Sequence, residues 1–219
     1  MSAEPVELWV YDDCDDPDSS RLLHQAGVRI LPTIPNLDPS AYRRAEDTHK
    51  WDVPTYRRVA RIKNLGIDEF LKTPARHLFL IDSDVLLRPG TVDHLREAAL
   101  PIIASVYWTN WYPHHGRGPN MWGSPPEPLT IPGHHDVHGT GACTLIERSV
   151  LRKARFDPVP KLAREGEDRW FCHLARRAGY RLVMCAGHFE PLHVYRDSEI
   201  GAAREWSTGI LNGHVGAAP

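Results

Sequence analysis

Four apolar residues in a row, Leu78-Phe79-Leu80-Ile81, run straight into Asp82-Ser83-Asp84. Residues 77–81 read as the clearest strand of the chain, and that strand delivers two carboxylates, one residue apart, at its C-terminal end. Further strand patterns fall at 6–11, 28–31, 101–108, 139–146 and 181–185. Helical patterns fall at 54–71, 91–99 and 167–178, with a shorter one ending at Gln25 before Gly27. This alternation predicts an α/β fold with a mixed, mostly parallel sheet flanked by helices. In open sheets of that kind ligands bind just beyond the carboxyl ends of strands. Carboxylates there suit a hard divalent cation, Mg²⁺ or Mn²⁺, which in turn clamps a diphosphate. Taken alone, the same triplet also serves to end a strand or to cap the next helix.

Bulk properties exclude several classes. The 219 residues suit one domain, and a net charge of −2 leaves no broad basic field for a nucleic-acid backbone. No apolar run approaches the ~20 residues needed to span a bilayer, and residues 1–5 lack the pattern of a secretory signal. Cys14, Cys143, Cys172 and Cys185 form no Cys-x-x-Cys pair. Free thiols and a cytoplasmic location are therefore expected, with Cys143 and Cys172 as small core residues.

Other motifs bear on chemistry. Gly166-Glu167-Asp168 opens an amphipathic helix with two acids. Acids favour a first turn for helix-dipole reasons alone, and one could equally face a cleft and take a proton. His193 follows the last strand as a potential metal ligand. Arg61 and Asn64 share a face of the long helix, whose buried side is expected to carry Val59, Ile62, Ile67, Phe70 and Leu71. Residues 109–138 read as a long irregular binding loop. Tyr107, Trp108, Trp111, Tyr112 and Trp122 in and beside it offer rigid surfaces for sugar or other rings. His114, His115, His134, His135 and His138 read as solvated loop histidines, because His134-His135-x-x-His138 lacks the Glu of a zinc-protease helix and Pro132-Gly133 opposes a helix there.

In this order the motifs resemble the GT-A glycosyltransferases, particularly their family 2-like group, over most of 6–196. The residues that carry the resemblance are Asp12-Asp13, Ala60 to Asn64, Phe79 to Val85, Gly139 to Cys143, Gly166 to Tyr180, and the late His193. The resemblance implies a GT-A (Rossmann-like) fold and transfer of a sugar from a UDP- or GDP-sugar to an acceptor hydroxyl, with inversion. The acceptor could be a glycan, a small molecule or a peptide. Asp13, Arg61, Asn64, Asp82 and Asp84 would contact the donor. Asp82, Asp84 and His193 would bind Mn²⁺ or Mg²⁺. Asp168 would be the general base, with Glu167 beside it orienting the acceptor. Gly139, Thr140 and Gly141 would line the acceptor side, with Trp108, Trp111 and Tyr112 from the aromatic loop.

Members of that group begin with one more strand and a Thr-Tyr-Asn-like turn. Here the sequence opens almost at the acidic strand, so either 6–11 takes another role or nucleotide contacts fall to 33–36. The expected layout is one domain over 1–196, with a donor part in 1–100 and an acceptor part in 101–196. Residues 197–219 would be a lid or a loose tail. Two alternatives stand beside this reading: a sugar-1-phosphate nucleotidyltransferase, whose glycine-rich phosphate loop is missing, and a non-catalytic nucleotide-sugar-binding module.

Overall fold

The computed structural model describes residues 6–13, 16–31, 43–45, 48–50, 53–110, 117–123, 127–156, 166–187, 189–194 and 199–211. In chain order, β1 (Trp9–Tyr11), α1 (Pro17–Gln25) and β2 (Arg29–Leu31) come first. The hairpin β3 (Arg43–Ala45) and β4 (Thr48–Lys50) leads to the long helix α2 (Val53–Lys72). Then come β5 (His77–Leu80), β6 (Val85–Leu86), α3 (Thr91–Glu97) and β7 (Ile102–Ser105). Next are β8 (Trp108–Thr109), β9 (Gly118–Pro119), β10 (Met121–Trp122), a 3-10 turn at Glu127–Thr130, β11 (Gly133–Val137) and β12 (Gly139–Thr140). The chain continues with β13 (Thr144–Glu147), α4 (Arg148–Leu151), α5 (Glu167–Arg177), β14 (Leu182–Ala186), β15 (Leu192–His193) and α6 (Ile200–Leu211).

The central sheet has five strands in the order β11-β14-β7-β13-β5. Only the β14–β7 pairing is parallel; β11–β14, β7–β13 and β13–β5 are antiparallel. The expected mostly parallel, Rossmann-like GT-A sheet is therefore corrected to a mostly antiparallel one. The reason lies in the connections. Parallel neighbours need a long crossover, usually a helix. No helix intervenes among the described residues between β7 and β13, only short strands and the 3-10 turn. The chain returns antiparallel and inserts β13 between β7 and β5. Within the stretch expected to be irregular, 109–138, the described residues include the end of β8, then β9, β10, the 3-10 turn and β11.

Alternation of side chains gives the sheet two covered faces. Ile102, Ala104, Ile146, Leu182 and Met184 point to one side, where they join Ala60, Ile67 and Phe70 of α2 and Phe171, Cys172 and Ala175 of α5. Ile103, Leu145, Val183 and Cys185 point to the other, under Leu95 of α3. Burial on both faces explains the unbroken apolar reading of β7 and β14.

Local chemistry sets the helix ends. Asp16 caps α1, accepting from Asp18 N and Ser19 N at 3.1 Å, with Pro17 at the first helical position. Arg148 closes the end of α2: its guanidinium donates to the carbonyls of Phe70, Leu71, Thr73 and Ala75 and lies 4.6 Å over the Phe70 ring. Helix α2 is therefore pinned to the start of α4, directly after β13. Its buried face is Thr55, Ala60, Lys63, Ile67 and Phe70, so Val59, Ile62 and Leu71 sit at the margin.

Candidate functional site

Beyond the C-terminal end of β5 the backbone turns at Asp82, whose carbonyl accepts from Val85 N at 3.2 Å. This turn sends the strand into β6, and β6 pairs antiparallel with β15, setting His193 opposite Val85. Val194 N donates to Asp84 O at 2.9 Å. The pairing brings a late histidine onto an early aspartate: His193 Nε2 stands 3.3 Å from Asp84 Oδ2. The other ring nitrogen, Nδ1, is 3.3 Å from Thr109 Oγ1. Tyr107 stacks on the imidazole with ring centroids 5.2 Å apart. An ionised Asp84 can only accept, so Nε2–H is the donor in that contact, while the Thr109 hydroxyl can donate to or accept from Nδ1.

Helices α2 and α5 supply the opposite wall. Lys63 Nζ donates to Glu167 Oε1 at 2.8 Å and to Asp168 Oδ1 at 2.7 Å. Burial alone would push Lys63 toward neutrality, but the carboxylates of Asp168, Glu167 and Asp82 outweigh it and hold the ammonium charged well above its usual range. Three carboxylates, Asp82, Glu167 and Asp168, thus act on one ammonium, and Asp84 and His193 act in turn on Asp82. The excess negative charge shows in their neighbours. Asp82 is an exposed residue with the charges of Lys63, Asp84, Glu167 and His193 close by. Desolvation raises its pKa, Lys63 opposes the shift, and Asp84 and Glu167 add to it. Asp168 is pushed up to about 7, mainly by burial, with Lys63 opposing and Glu167 and Asp82 adding. The Tyr107 hydroxyl is raised well above its ordinary value, first by burial and then by the charges of Asp82, Asp168 and Asp84.

A third side comes from the segment between β12 and β13. Asn120 is fully buried. It accepts from Tyr107 N at 2.9 Å and donates to the carbonyls of Ser105 and Ala142 at 3.2 Å, fixing both strand ends. Cys143 has a left-handed backbone, φ 65°, rare for a residue with a side chain. Its carbonyl accepts from Ser105 N at 3.0 Å, and burial pushes its thiol up to about 12. A side chain at Gly141 would start 3.5 Å from Asp168 Oδ2. Gly139 lies under Trp122, whose ring would be 2.1 Å from any Cβ there. The guanidinium of Arg169 sits 5.5 Å over the same indole. Gly166, φ 84°, lets α5 begin at Glu167 and so aims both acids at Lys63.

Of the expected site residues, Asp82, Asp84, Glu167, Asp168, His193, Thr140 and Gly141 come together in this region. Asp13 instead pairs with Arg58 of α2. Arg61 is exposed, and Asn64 accepts from the Phe156 backbone at 3.0 Å, a fastening role. Trp108 is half-buried in β8. Trp111 and Tyr112, the segment 33–36, Cys14, His114 and His115 lie outside the described residues. Asp82, Asp84 and His193 do not form a tight set of three. Among the described residues, the metal-ligating side chains whose donor atoms all lie within 4.8 Å of one another are His94, His134 and Cys185. That potential metal-coordinating cluster sits on the other face of the sheet.

Sequence reading gave Lys63 no role and set Tyr107 with the aromatic loop rather than against His193. The signal for Lys63 was present: Ala60, Lys63, Ile67 and Phe70 keep helical spacing, so a lysine occupies a core position. No helix among the described residues is long and apolar enough to cross a membrane. No family model matches the chain, and no curated protein matches it.

Proposed function

We propose that the chain is a cation-dependent glycosyltransferase that moves a sugar from a nucleoside-diphosphate donor to an acceptor hydroxyl. The observation that carries this reading is that Glu167, Asp168 and Asp82 act on one buried ammonium at a strand's carboxyl end, with the Asp84–His193 pair beside Asp82. The order of the sequence motifs supports it independently.

The donor set, carboxylate oxygens with one imidazole, fits Mn²⁺ or Mg²⁺, ions commonly held by one or two carboxylates plus substrate phosphates. Asp84 and His193, already in contact, would hold it, with Asp82 adding charge beside them. When bound, such an ion supplies positive charge to a departing diphosphate.

Asp168 does the proton chemistry. Its pKa of about 7 lies near operating pH, where a general base is most effective. Lys63 holds the carboxylate by one oxygen, Oδ1, and Gly141 keeps the space beside Oδ2 clear. Glu167, almost wholly buried against Lys63, anchors the ammonium rather than touching the acceptor. Trp122, held flat by Gly139 and Arg169, offers an apolar shelf for a sugar ring. A single base of this kind leads to inversion at the anomeric carbon.

The test is turnover of a panel of UDP- and GDP-sugars with Mn²⁺ and mixed acceptors. Asp168→Asn should cost about 10²–10⁴-fold in turnover while the fold is kept. Equal turnover in both proteins overturns the assignment.

A further inference from the structure

From the far face of the sheet we infer that His94, His134 and Cys185 form a separate site for a borderline-soft divalent cation, Zn²⁺ in the first instance, that clips α3 and the edge strand β11 to the central strand β14. His134 and Cys185 are directly opposite in the antiparallel β11–β14 register, so their side chains emerge on the same face as neighbours. His94 reaches them from α3, which packs over β7 and β13 on that face. The three donor atoms all lie within 4.8 Å of one another. His94 Nε2 and Cys185 Sγ are 3.3 Å apart. Tetrahedral zinc with bonds of about 2.3 Å to sulfur and about 2.0 Å to nitrogen sets such ligands about 3.5 Å apart. The pair is therefore at coordination spacing before any ion arrives, bridged meanwhile by a thiol–imidazole hydrogen bond.

The donor chemistry differs from that of the acidic cleft. One thiol and two imidazoles favour zinc or its analogues and disfavour Mg²⁺, an oxygen-seeking ion. Phe189 stacks on the His94 ring at 4.7 Å and 27°, fixing its plane. Cys185 is buried among Leu95, Ile103 and Val183, whereas His134 is exposed, so the fourth position faces water. Binding would expel the thiol proton to solvent as the thiolate bonds to the ion. The ion would then link elements that belong to different parts of the chain, and an edge strand of polar sequence would gain a covalent-like tether.

The experiment adds Co²⁺, then Zn²⁺, to the full chain purified with a chelator and a reductant. Cobalt should give a thiolate-to-metal charge-transfer band at one equivalent, and zinc should displace it and raise the melting temperature. His134→Ala, on an exposed edge and harmless to the core, should weaken cobalt binding at least about tenfold, since even residues behind a metal ligand cost that much. Cys185→Ser should abolish the band, with circular dichroism confirming its fold. Asp84→Asn should leave the band intact, which separates this site from the acidic cleft. Absence of a band in the parent chain, its survival in Cys185→Ser, full affinity in His134→Ala, or its loss in Asp84→Asn would each overturn the inference.

Discussion

Lys63 of α2 and Glu167 of α5 meet at 2.8 Å with both side chains almost wholly buried, and this contact ties the two helices together at the floor of the cleft. Removing one partner leaves the other charge stranded. Lys63→Met should cost about 3–5 kcal/mol of stability. The double change Lys63→Met with Glu167→Gln should recover part of it, because the Glu167 charge is gone while Asp168 keeps its own. Denaturant midpoints of the three proteins check this.

Asp168 predicts a pH dependence of stability. Its folded pKa, about 7, lies above the 3.8 of a free side chain. The folded state then holds a proton that the unfolded chain releases, so this contribution is fully present below pH about 4 and lost as pH rises through about 7. Asp168→Asn should flatten the melting-temperature profile between those values in metal-free buffer. A stability that climbs over that window and ignores the substitution would contradict the assignment.

The acids were legible because they interrupt patterns. Asp82 and Asp84 end an apolar strand, and Glu167 and Asp168 open an amphipathic helix. Their meeting was not legible, since it depends on β15 folding back on β6 and on α2 lying against α5. The sheet was misread for a related reason: strand and helix periods reveal elements but not direction, and the described residues between β7 and β13 hold no helix to carry a parallel crossover. His134 shows the same limit. Within its own segment it is one polar residue among several, and it acquires partners only through the β11–β14 register.

Gly139 should tolerate no side chain. Its Cβ would fall 2.1 Å from the Trp122 ring, so Gly139→Ala should destabilise by about 1–3 kcal/mol through overpacking. Adding Trp122→Leu should relieve the clash. Thermal unfolding of the single and double variants measures both.

Arg148 should matter more than its partial exposure suggests. Its guanidinium donates to the Phe70 and Leu71 carbonyls in the last turn of α2 and to the Ala75 carbonyl just beyond it. Arg148→Met should cost about 1.5–3 kcal/mol. Hydrogen exchange should accelerate first in the last turn of α2, ahead of the central sheet.

Calorimetric titration of UDP and of GDP, with and without Mn²⁺, into the parent chain and into Asp84→Asn probes the cleft itself. One nucleotide should bind the parent chain only when the cation is present, and Asp84→Asn should weaken that binding at least about tenfold. Nucleotide binding that needs no cation, or that Asp84→Asn leaves unchanged, would contradict the reading of the cleft as a cation-held diphosphate site.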